Sequence, residues 1–94
     1  MQVNWTKSAL RDLEIEANYL NKINPSIESN FLEHVESSVA LIKKYPELGR
    51  IGRVIQTREL ILKKFQYILI YLVKASCIDI IRLLHTSRKW PNSL

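Results

Sequence analysis

From Phe65 to Val73 the chain is apolar at every position except Gln66, and no other segment narrows the fold as much. Phe65, Tyr67, Leu69, Tyr71 and Val73 alternate with Ile68, Ile70 and Leu72, so an extended chain here carries apolar side chains on both faces. Such a strand belongs at the centre of a sheet covered on both sides. Val54–Leu62 and Cys77–His85 flank it and are equally rich in β-branched residues and leucine, with no helical stripe, so they read as two more strands. The links Lys63-Lys64 and Lys74-Ala75-Ser76 are short enough for hairpins, which makes antiparallel neighbours the default.

Before Gly49 the pattern is helical. Val3 and Trp5 suggest a short first strand, and Thr6 is placed to cap a helix whose buried stripe is Leu10, Leu13, Ala17, Leu20 and Ile23. Asn24-Pro25 ends that helix, and Pro25 suits the first turn of a second one. Phe31, Val35, Val39 and Ile42 give the second helix its apolar face. Glu28 lies near its positive end, and Lys43 and Lys44 near its negative end. Tyr45-Pro46-Glu47-Leu48-Gly49 then breaks the pattern. The expected fold is a single α+β domain over residues 1–94, of order β-α-α-β-β-β, with an antiparallel sheet and a helix hairpin packed on one face. The other face is left to basic residues and a partner.

With 94 residues, 47% of them apolar, there is room for one core only. Met1 to Trp5 shows neither the basic nor the apolar region of a secretion signal, and no apolar run approaches a membrane span, so the expectation is a cytoplasmic protein without a membrane partner. Cys77 is the only cysteine and cannot form an internal disulfide; a structural thiol is the simpler reading. One cysteine, two distant histidines and no glycine-rich phosphate motif imply no metal and no organic cofactor.

Charge is unevenly spread. Residues 1–48 hold five basic and seven acidic side chains, a balance of −2, whereas residues 49–94 hold nine basic side chains against Glu59 and Asp79 alone, a balance of +7. The second half therefore suits an anionic partner, either nucleic acid or an acidic protein. A cationic face kept for solubility is the alternative, although it would not ordinarily exclude acids so thoroughly.

Four segments carry a resemblance, in order and spacing: Gly49-Arg50-Ile51-Gly52-Arg53-Val54, Thr57-Arg58-Glu59-Leu60, Tyr67-Ile68-Leu69-Ile70-Tyr71, and Arg82-Leu83-Leu84-His85-Thr86-Ser87-Arg88-Lys89-Trp90-Pro91. Together with Trp5 and Asp12-Leu13 they resemble the RelE/ParE superfamily of bacterial toxins over nearly the whole chain. The resemblance implies the growth-inhibiting half of a type II toxin-antitoxin pair, neutralised in a hetero-oligomer by a cognate antitoxin. It also implies one of two targets. ParE-like members poison DNA gyrase by protein contact, without chemistry of their own. RelE-like members are endonucleases that cut mRNA on the ribosome. The ending from Leu84 to Pro91 looks more like the ParE type.

Cleaving RNA requires moving a proton and stabilising a crowded anionic phosphate. For that chemistry His85 is the natural acid or base, and Arg58, Arg82 and Arg88 are the candidate phosphate clamps. Arg58 looks like the catalytic arginine of the ribosome-dependent nucleases, but their lysine- or carboxylate-bearing loop before it is unmatched, since Gly52 to Gln56 offers only Arg53. Strand alternation puts Arg82 and His85 on opposite faces unless the strand ends or twists near Leu84. The competing readings are that His85 simply closes a strand and that Arg58 and Arg82 pair with Glu59 or Asp79 across strands. Tyr67 and Tyr71 read as core aromatics before base-stacking ones. Arg50 and Arg53 flank Gly52 in a loop without the Lys-Ser/Thr of a phosphate-binding loop; with Trp90, they are expected to contact the antitoxin or the target.

Overall fold

The computed structural model describes residues 1–87. The elements run β1 (Gln2–Trp5), α1 (Lys7–Ile23), α2 (Pro25–Lys44), β2 (Arg50–Ile51), β3 (Thr57–Leu62), β4 (Tyr67–Val73) and β5 (Cys77–His85). One five-stranded sheet has the order β1-β5-β4-β3-β2. The two-faced strand is therefore central, as its composition requires. β2 to β5 pair antiparallel, whereas β1 adds to β5 in parallel, so the sheet is mixed. The parallel pairing follows from connectivity, because the whole helix hairpin lies between β1 and the rest of the sheet and frees β1 from a hairpin's constraint.

The helix ends form as the local chemistry dictates. The Thr6 hydroxyl accepts from the Ala9 N–H at 3.1 Å and donates to the Ile81 carbonyl at 3.1 Å, capping α1 and tying it to β5 at once. Asn24 is both the C-cap of α1 and the N-cap of α2, its side chain accepting from the Ser26 N–H, and Pro25 opens α2. The buried helical residues are Ala9 and Ala17 from α1 and Phe31, Val35, Ser38 and Ile42 from α2. Leu10 and Ile23, expected in the stripe of α1, are about half exposed; small alanines there let the helix approach the sheet closely. The main core joins the hairpin to Leu69, Tyr71, Ile78, Ile80 and Leu83.

A second, smaller cluster of Ile68, Ile70 and Leu84 lies on the opposite sheet face, with Val54 and Ile81 packed against it. Val54 had been expected in a strand. It lies instead in the loop from Gly52 to Gln56, which reaches the face that the helices leave open, and strand structure begins at Thr57. Likewise Phe65 and Gln66 belong to the β3–β4 turn, where Gln66 adopts φ 59°. None of the helices of the described residues is long and apolar enough to cross a membrane.

Candidate functional site

Glu59 organises the loop that carries Arg50 and Arg53. Its carboxylate is 2% exposed and accepts from the Arg50 guanidinium at 3.0 Å and from the Arg53 backbone N–H at 3.0 Å, with the Arg53 guanidinium 3.6 Å away. Burial alone would push its pKa up, but these donors and charges outweigh it and hold the pKa below the ordinary glutamate value. The loop can close this tightly because Gly52 has no side chain: a Cβ there would lie 2.2 Å from the Thr57 hydroxyl oxygen and 2.9 Å from the Thr57 carbonyl oxygen. The loop consequently presents Ile51 and Ile55 to solvent, 82% and 87% exposed.

Arg58 points to the helix-facing side of the sheet, because it is paired across with Tyr71. One of its terminal nitrogens donates to the Gly49 carbonyl at 2.9 Å and to the Glu47 carbonyl at 3.3 Å. The competing reading, an ion pair of Arg58 with Glu59 or Asp79, is not realised, since Glu59 is committed to Arg50 and Arg53 and Asp79 to Lys74. The Tyr71 hydroxyl holds the same loop, donating to the Pro46 carbonyl at 2.7 Å and accepting from the Gly49 N–H at 2.8 Å. Burial raises the Tyr71 pKa against the opposing effects of that N–H and of the Arg58 charge. This tyrosine is a core residue, as is Tyr67, whose hydroxyl donates to Glu16 on α1.

Arg82 is committed elsewhere. It grips Asp12 of α1 through Nε at 2.7 Å and Nη2 at 3.0 Å, and Asp12 also accepts from the Leu83 N–H at 3.0 Å. Asp79, the other partner considered, pairs with Lys74 at 2.7 Å. A register shift between Ile70 and Tyr71 leaves Ile81 as an extra residue on β5, so the inward positions change from Ile78 and Ile80 to Leu83 and His85. His85 thus lies on the helix side, its ring edge-on to Tyr67 at 5.3 Å and its Nδ1 2.8 Å from the Ser87 hydroxyl. Ile15, Glu16, Tyr19, Tyr67, His85 and Ser87 line a shallow concavity of about 370 Å³.

Among the described residues, the candidate catalytic groups Arg58, Arg82 and His85 therefore do not converge. Arg58 faces Tyr71 and His85 faces Tyr67, four positions apart along β4 and on strands either side of it. That offset amounts to roughly 13 Å along the strand and about 10 Å across it. Arg88 and Trp90 lie outside the described residues. Among the described residues there is no cluster of three metal-ligating side chains. What sequence reasoning missed is the use of acids: Asp12 stood out within the family-like Asp12-Leu13 pair, and Glu59 as one of two acids in the basic half, yet only the fold shows which arginines they hold.

Comparison with known proteins places this arrangement. The family model of the ParE toxin of the type II toxin-antitoxin system parDE matches residues 3–90. A candidate toxin of Sinorhizobium fredii, Y4kP, is 31% identical over 99% of this chain and 96% of its own length. A solved chain from the chromosomal ParDE system of P. aeruginosa has the same fold, with TM-score 0.79 at 24% identity over 90% of this chain and 95% of that one. The full-length agreement of sequence and fold shows that the chain belongs to the ParE toxin family of type II toxin-antitoxin systems.

Proposed function

We propose that this toxin is masked by a cognate antitoxin and that, when free, it acts by gripping DNA gyrase rather than by cutting RNA. The observation that carries the reading is the dispersal, among the described residues, of the candidate catalytic groups Arg58, Arg82 and His85. A nuclease needs its proton-transfer group and its phosphate clamp within hydrogen-bond reach of one scissile bond. Here Arg82 is bound bidentately by Asp12, Arg58 is tied to two backbone carbonyls, and His85 lies at the far end of the sheet from Arg58. Protein binding makes no such demand, since separate side chains can anchor separate parts of an interface.

The test runs both targets side by side with purified toxin. The expected result is inhibited supercoiling, or trapped cleaved DNA, with gyrase, and intact message on programmed ribosomes. His85→Ala should then weaken gyrase inhibition by no more than a single interface truncation does, about 1–2 kcal/mol in affinity. Cut mRNA with gyrase unaffected, and a cleavage rate lowered roughly a hundredfold by His85→Ala, would establish the nuclease reading instead.

A further inference from the structure

A concavity of about 540 Å³ opens where the end of α2, the following loop and the ends of β1 and β4 meet, at the opposite end of β4 from His85. Its lining includes Met1, Lys44, Tyr45, Leu48, Arg58 and Val73. The walls are chiefly carbon, and Met1, Tyr45 and Leu48 remain about half exposed. The frame beneath them is fixed: Tyr71 pins Pro46 and Gly49, and Arg58 pins Glu47 and Gly49.

Arg58 spends only one terminal nitrogen on those carbonyls. Its Nε and second terminal nitrogen have no hydrogen-bond acceptor among the described residues. Two backbone contacts thus orient a half-buried guanidinium whose remaining donors match the two oxygens of a carboxylate. Lys44 adds a second cation, and Glu47, the only acid of the lining, is an exposed residue. Two cations around an aliphatic hollow do not make a track for a phosphate backbone, which would require a continuous basic groove and open aromatic faces.

We propose that this hollow is a docking site for a segment of a partner protein that presents a carboxylate beside an aliphatic side chain. Arg58 takes the carboxylate through its uncommitted edge, and Met1, Tyr45, Leu48 and Val73 enclose the aliphatic group. The site stands apart from the gyrase reading, because it concerns what the hollow binds and not what the toxin poisons.

The probe is a blocked leucine–glutamate–leucine tripeptide, titrated into the full ¹⁵N-labelled chain and followed at the amides of Leu48, Gly49 and Val73. The expected dissociation constant is on the order of millimolar, and the glutamine counterpart should bind roughly tenfold more weakly. Arg58→Lys, which keeps the charge and loses the fork, should cost roughly tenfold as well. Because Arg58 also holds its loop, Val73→Phe is the second variant: it crowds the aliphatic wall of the hollow, leaves Arg58 in place and should weaken binding at least roughly tenfold with amide dispersion unchanged. Equal affinity for the two peptides, binding undiminished by Val73→Phe, or tighter binding of butyl phosphate than of the glutamate peptide would overturn the proposal.

Discussion

Glu59 and Tyr71 are polar groups that the core retains because every bond they need is made locally. Removing the Glu59 charge leaves two arginines facing each other without an anion between them, although both guanidinium groups are about half exposed and solvent screens part of their repulsion. Glu59→Gln should therefore cost about 1–3 kcal/mol of stability near neutral pH. The pH dependence has a definite sign. A carboxylate whose pKa is depressed by folding contributes stability that is complete above its unfolded value, about 4.3, and is lost as pH falls through the folded value. The urea midpoints of the wild type and Glu59→Gln should thus differ by a constant amount from neutral pH to about pH 5 and converge at lower pH. A gap that widened with acid would mean that Glu59 is not held as the anion. The same residue shows what a one-dimensional reading lacks: an ion pair between Glu59 and Arg58 was a competing reading, but adjacent positions of one strand point to opposite faces, and β2 and the loop after it bring Arg50 and Arg53 to the Glu59 carboxylate.

Among the elements, those with regular periodicity were legible and those made by a departure from it were not. The two helices, their shared Asn24-Pro25 junction, the central strand and the span of β5 follow from spacing, capping chemistry and apolar content. β2 is only two residues long, too short to leave a pattern. The parallel placement of β1 depends on a contact more than seventy residues away. The shift in β5 inverts inside and outside after Ile81 without any glycine or proline to announce it, and the candidate site inherits that inversion, since it sends His85 to the helix side. Asp12 makes this irregular stretch tenable by accepting the Leu83 N–H beyond the last pairing of β1 and by holding Arg82. The ion pair is about 12–13% exposed on each side, so truncating one partner strands the other's charge. Asp12→Ala alone should cost about 3 kcal/mol, Arg82→Met somewhat less, and a double-mutant cycle should return a coupling of about 1–3 kcal/mol. Equilibrium unfolding of the four proteins measures it, and strictly additive losses would show that the contact is idle. A catalytic arginine would behave otherwise, with activity falling and stability little changed.

For the molecule as a whole, local neutralisation and net charge have to be kept apart. Glu59, Asp79 and Asp12 quiet Arg50, Arg53, Lys74 and Arg82 at contact distance, but ion pairs leave the sum untouched, and the chain still carries +5 overall. An approaching partner within about one Debye length, a distance that grows as salt is lowered, responds to that sum, whereas a docked partner responds to the contacts. Lys63 and Lys64 separate the two effects. They lie exposed in the β3–β4 turn, and among the described residues neither has a salt-bridge partner. Replacing both with glutamate changes the net charge by four units without breaking an ion pair. With an acidic antitoxin, the association rate of the wild-type toxin should fall roughly tenfold between about 50 and 500 mM salt while dissociation changes little. The double variant should associate several-fold more slowly at low salt and lose most of that salt dependence. Stopped-flow or surface-binding kinetics read both rates. An association rate indifferent to salt, or a double variant slowed only in dissociation, would mean that the basic half meets its partner through short-range contacts alone, with no electrostatic steering.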